Sequence, residues 1–265
     1  MPIRDVRLEQ AGARDWAQAA GSQWLDAEAI WTHMSRNTNQ PRAVEQIDWN
    51  ALCPQRATVL DLGCGSGWLT ALISRSENVA RVVAWDGSPT LLSEVLPPMI
   101  ALRKGAADKI ERVCGEFTPL LLEDGSVDLA VMGSAFHHCA EPETLLRDLR
   151  RVLRPRGSLL LVNETPWREL GMLWFDVRMA LAHLSRLFTG RGPRRAGYIA
   201  DDHVLYDPEL GDRAYTLRGW RSLARRTGWH LDVLETGLTS YPAGFRRPSP
   251  FEPPLTHFLL RPASG

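Results

Sequence analysis

Two acids and a glycine loop carry the clearest chemistry in this 265-residue sequence. In VLDLGCGSGWLT, Val59 to Thr70, an apolar run ends on Asp61 and meets Gly63, Gly65 and Gly67. Such a loop can use positive φ, and a ligand can lie against its bare backbone. The helix expected from Trp68 adds free N–H groups and a positive dipole end. A dinucleotide loop places its third glycine five residues after the first; here that place holds Trp68. A P-loop ends in Gly-Lys-Ser/Thr, which is absent here. An acid beside the loop opposes pyrophosphate and suits a cation. The pattern therefore favours a positively charged nucleoside without phosphate. Asp86 closes VVAWDGSP, 21 residues after Gly65. That is the spacing at which an acid binds ribose hydroxyls, and a carboxylate has two oxygens to accept them.

Stepping outward, short apolar runs alternate with helical segments from Ala57 on. The runs are Thr58–Leu62, Ala80–Trp85, Ile110–Cys114, Val127–Met132 and Ser158–Val162. Unbroken apolar runs predict strands covered on both faces, and their alternation with helices predicts a parallel α/β sheet. Pro97 and Pro98 predict a short or broken helix after the second strand. Glu141 to Leu153 reads as a helix stopped by Pro155 and Gly157. Trp167 to Phe188 carries one apolar stripe at helical spacing. Thr189 to Ala214 reads as an irregular lid or loop. Thr216 and Gly228 bracket a further helix, and Leu231–Glu235 and Thr256–Leu260 complete the strands. Residues 13 to 50 read as largely helical, with Trp16, Trp24 and Trp31 about two turns apart and a break at NQPR.

Lys+Arg and Asp+Glu are both 31. A balanced charge argues against a broad nucleic-acid footprint. No stretch has the length and purity of a membrane span, and the start lacks an apolar leader segment. Cys53, Cys64, Cys114 and Cys139 stand apart, with no zinc spacing or disulfide framework. A cytoplasmic setting is expected.

Together these motifs resemble the class I S-adenosylmethionine-dependent methyltransferases of the type that acts on small molecules. VLDLGCGSG resembles that family's first motif and WDGSPTLL its second. GEFTPLLLEDGSVDLAVMGSAFHH resembles its third-strand end and fourth strand, and LRDLRRVLRPRGSLLLV the next helix and strand. The resemblance implies a Rossmann-like three-layer α/β sandwich. Its seven-stranded sheet is mostly parallel with an antiparallel last strand, and carries a helical lid. The helical and irregular stretches read above add the expectation of an N-terminal helical cap over residues 1–50, and of a catalytic domain over 51–265 with a lid insertion at about 165–215. The resemblance implies S-adenosylmethionine as cofactor and S-adenosylhomocysteine as product. Asp61, Gly63, Cys64, Gly65 and Gly67 then cradle the methionine part, with Asp86 and Gly87 at the ribose. Leu91, or its neighbour Leu92, packs on adenine. Glu116 receives the adenine amino group, Phe117 offers backbone to the ring, and Gly133 and Phe136 border the pocket.

Methyl transfer needs alignment above all. A base matters where the acceptor must lose a proton. His137, just past the fourth strand, is the first candidate for that base; His138, Glu164 and His203 follow. No metal ligand set is legible, since adjacent histidines rarely share one ion. Gly133-Ser134-Ala135-Phe136 replaces the Pro-Pro motif of the enzymes that methylate base amino groups. The expectation is methyl transfer to a small molecule, on oxygen before nitrogen or carbon, such as a natural-product or polysaccharide-type intermediate. The expected partners are that substrate and no nucleic acid, in a monomer or homodimer. The alternatives are an RNA or protein methyltransferase, a cofactor-binding homologue that does not methylate, or a nucleotide-dependent reductase.

Overall fold

The computed structural model describes residues 2–7, 25–174, 177, 198–201, 204–206, 212–245 and 254–263. After strand β1 (Arg4–Asp5) come helices α1 (Ala27–Asn37), α2 (Gln40–Val44) and α3 (Trp49–Leu52). Then β2 (Ala57–Leu62), α4 (Trp68–Ser74) and β3 (Val79–Asp86) alternate. A π-helical turn over Leu91–Val95 runs into α5 (Leu96–Leu102), which precedes β4 (Ile110–Cys114). Next come β5 (Val127–Gly133), a 3₁₀ turn (Phe136–His138), α6 (Pro142–Val152) and β6 (Leu153–Glu164). The remaining elements are β7 (Tyr198–Asp201), β8 (Val204–Tyr206), β9 (Arg213–Tyr215), α7 (Leu217–Arg226), β10 (Trp229–Thr239) and β11 (Pro254–Pro262).

The large sheet has the order β1-β4-β3-β2-β5-β6-β11-β10. Strands from β1 to β6 pair in parallel, and β11 runs antiparallel to both β6 and β10. Period-two alternation sends Leu60, Leu62, Val83 and Trp85 into one core with Leu145, Leu149, Trp220 and Leu223. Val59, Val82 and Ala84 enter the other, with Leu69, Ile73, Leu96 and Trp49. This is the expected three-layer sandwich, and the apolar runs needed no polar face because helices cover both sides.

Four local expectations change. The sheet has eight strands, because Arg4↔Val113 and Asp5↔Cys114 add an edge strand that no apolar run announces. The break expected at NQPR falls at Thr38–Asn39, and Pro41 lies in the first turn of α2, as a proline can. Strand β6 begins at Leu153, so Pro155 and Gly157 lie inside a strand, not in a loop. Between Thr189 and Ala214 the chain makes β7 and β8 and enters β9, forming a three-stranded antiparallel sheet. The long helix expected from Trp167 is helical at residues 169–174 and 177; most of its remainder lies outside the described residues, as do Trp16, Trp24 and His203. No helix among the described residues is long and apolar enough to cross a membrane.

One buried histidine ties the N-terminal helices to the sheet. His257 Nδ1 accepts from the Asn163 backbone N–H at 3.1 Å, so Nε2 bears the proton and donates to Ala43 O at 3.1 Å. Burial pulls this imidazole below its ordinary pKa, against the pull of its backbone hydrogen bonds. The unfolded chain therefore takes up the proton first, and stability falls with pH below about 6.5. Replacing His257 by Leu strands two buried backbone groups and costs about 1–3 kcal/mol. Urea denaturation of both proteins between about pH 7.5 and 5.5 checks this. The wild-type advantage shrinks toward acid pH.

Candidate active site at the carboxyl edge

From β2 the chain steps outward to β3 and β4, then returns to place β5 on the other side of β2. The crevice outside the carboxyl ends of β2 and β5 is thus the topological switch point, where open α/β sheets bind ligands. The glycine loop follows β2 there, and Ser134–His138 follows β5.

Asp86 holds the loop in place. Its Oδ2 accepts from Gly65 N at 2.8 Å and its Oδ1 from Ser88 N at 2.9 Å. Gly65 has φ +52°, and a Cβ there would meet nothing within 4 Å. Gly63, at φ +73°, lies against Ala135 and the Phe117 ring, where a Cβ would come within 2.8 Å of Ala135 Cβ. Gly67 caps α4. Asp61 is buried and accepts from the Thr70 hydroxyl at 2.5 Å. Burial pushes its carboxyl up to about 7; the Thr70 bond opposes this and the Asp86 charge adds to it. Cys64 is buried in the same loop, and burial holds its thiol well above the ordinary value.

Beyond β4, Glu116 O accepts from Trp85 Nε1 at 3.0 Å, while its side-chain Oε1 is buried with no hydrogen-bond partner among the described residues. Gly87 lies 3.9 Å, by its would-be Cβ, from Glu116 Oε2. Leu91 is buried with Ala27, Ile30, Val95 and Met99, and Leu92 packs in the main core below α4. Phe136 is wholly buried, with ring centroids 5.1 Å from Trp220 and 6.2 Å from Tyr215. Its backbone is what it can offer a ligand. Gly133 closes β5, beside Leu69 and Val162.

The fold brings His137 to Glu164, across the ends of β5 and β6. His137 Nδ1 lies 3.5 Å from Glu164 Oε2. Burial pulls the imidazole pKa down, but the Glu164 bond and the Glu164 and Asp212 charges prevail and raise it. His138 Nδ1 pairs with Asp212 Oδ1 at 2.6 Å, and the two histidine rings lie 4.1 Å apart. Among the described residues these three form one group whose ligand atoms lie within 4.8 Å of each other. Sequence spacing hid Asp212, which stands 74 residues from His138. It also hid the roles of Asn163 and Tyr215, and that of Thr70, which ends the opening glycine stretch. A polar residue directly after a parallel strand was the available signal for Asn163.

A cationic nucleoside fits this edge on two counts: open space over Gly65 and an unsatisfied carboxylate oxygen on Glu116.

Residues 60–161 match the family model described as a methyltransferase domain. A malonyl-[acyl-carrier protein] O-methyltransferase of Methylovorus sp. is 29% identical over 154 residues, covering 58% of this chain and 49% of that protein. The chain spans about half the length of the curated relatives it matches. The putative methyltransferase in a complex with the Haloferax volcanii Trm112 methyltransferase activator superposes with a TM-score of 0.60 at 17% identity, covering 96% and 100% of the two chains. A SAM-dependent methyltransferase from Aquifex aeolicus gives 0.51 at 18%, covering 89% and 96%. At these identities the structures attest the fold alone. The matched segment spans the glycine loop, the ribose-type acid and the switch point of this sheet, so the chain carries a methyltransferase domain over residues 60–161, set in a fold shared with S-adenosylmethionine-dependent methyltransferases.

Proposed function

We propose that this chain transfers a methyl group from S-adenosylmethionine to an oxygen of a small molecule, of natural-product or polysaccharide-intermediate type. The observation that carries this reading is the His137–Glu164 pair at the carboxyl edge, beside the loop suited to the methyl donor. The cofactor, when bound, supplies a methyl group on a sulfonium, which needs alignment more than activation. Asp61, Gly63, Cys64, Gly65 and Gly67 hold its methionine part. Asp86 and Gly87 hold the ribose, and Leu91, Glu116 and Phe117 hold the adenine. Gly133 and Phe136 border it through backbone. The N-terminal helices α1–α3 and the described strands β7–β9 of the insertion roof the acceptor and exclude water.

His137 is the base of this reading. With Nδ1–H directed at Glu164, Nε2 is free to take the acceptor's proton. Glu164 is a positioning residue: it selects the tautomer and stabilises the imidazolium that forms. A second reading is an acyl carboxylate acceptor, favoured by relatives named malonyl-[acyl-carrier protein] O-methyltransferase. A carboxylate has no proton to lose and needs no base.

Cofactor affinity tests the acid-lined loop. Protonating Asp61, whose carboxyl sits at about 7, removes a negative charge from a cation site. S-adenosylmethionine affinity measured by calorimetry therefore falls from pH 8 toward pH 6, and Asp61→Asn abolishes that dependence. Asp86→Ala weakens S-adenosylhomocysteine binding by about 10- to 100-fold, the worth of charge-assisted hydrogen bonds.

Kinetics test the base. His137→Ala lowers kcat by about 10²–10⁴ for a hydroxyl acceptor, and leaves it within a few-fold for a carboxylate. The wild-type rate rises with pH to a plateau as His137 loses its proton. Glu164→Gln removes the charge that raises His137, and so moves the inflection to lower pH.

A further inference from the structure

The ends of β5 and β6 hold polar atoms that the cofactor roles leave unused. Glu164 is 4% exposed; its Oε2 faces His137, and its Oε1 has no hydrogen-bond partner among the described residues. The adjacent Asn163 is equally buried, and its Oδ1 also lacks a partner. That amide cannot be turned round, because its Nδ2 donates to Gln40 O at 3.3 Å. A third unpartnered group, the Tyr215 hydroxyl, is buried close enough for the Glu164 charge to act on it. Backbone geometry marks the same place. Ser134 and Asn163, at or just past the ends of the two strands, hold φ of +49° and +59°. Such left-handed residues cluster where ligands are clamped.

Buried acceptors without donors are costly, a carboxylate most of all. Among the described residues His137 is the one cation recorded at Glu164, and it must be neutral to act as base. The missing partner is therefore rich in donors and carries positive charge. An ammonium group has three donors and no acceptor, whereas a hydroxyl has one donor. We propose that the methyl acceptor is an amine-bearing hydroxyl compound whose ammonium group, distinct from the reacting oxygen, is held by Glu164 Oε1. This assignment rests on the methyltransferase reading above and names the substrate class of that site.

The test uses the full chain saturated with S-adenosylhomocysteine. Glucosamine, tyramine and phenylethanolamine are titrated by calorimetry, each against its N-acetyl form, which lacks the charge and two of the three donors. At least one amine binds about tenfold or more tightly than its N-acetyl form. Glu164→Gln brings that ratio close to one. The variant keeps wild-type affinity for S-adenosylhomocysteine, which certifies its fold. Equal binding of amines and N-acetyl forms, no binding of any amine, or an undiminished ratio in Glu164→Gln overturns the proposal. A wild-type chain that fails to bind S-adenosylhomocysteine overturns the methyltransferase reading, and this assignment falls with it.

Discussion

One carboxylate sets the shape of the ligand edge. Asp86 ends β3 and binds two backbone amides, Gly65 across the crevice and Ser88 in its own loop. Through Gly65 it draws the turn after β2 toward the end of β3. The turn then delivers the chain into α4 at Gly67, and its open side at Gly65 faces away from protein atoms. The loop is therefore set before a ligand arrives, and little ordering is left to oppose binding.

The same edge gathers anions. Asp61, Asp86, Glu116 and Glu164 all lie at or just beyond the carboxyl ends of parallel strands or in the loops that follow. Dry surroundings amplify each of them. One consequence is an upward pull on the Asp61 carboxyl; the other is a preference for cations over phosphates. His257 works in the opposite sense. It is kept neutral by burial and serves as a spacer between α2 and the sheet.

The parallel core was legible because its strands are unbroken apolar runs that alternate with helical segments. The glycine loop and Asp86 were legible because local spacing defines them. The edge strand at Arg4–Asp5 was not, since its two residues are polar and only backbone pairing with β4 makes it a strand. Likewise the β6 start at Leu153 depends on pairing with Val127, which overrides Pro155 and Gly157. At the site, long-range meetings were hidden: Asp212 with His138, Asn163 with Gln40, and Glu164 with His137. Each joins segments far apart in sequence, and no periodicity encodes such a meeting.

Strand β1 has a practical side. It shields the outer edge of β4, and Val6 N bonds Cys114 O at 2.9 Å, two residues before Glu116. Peeling it away would bare a row of unpaired backbone groups, the usual template for edge-to-edge aggregation. It would also loosen the chain just ahead of an acid that faces the crevice. Changes at Arg4–Val6 thus bear on both solubility and ligand affinity.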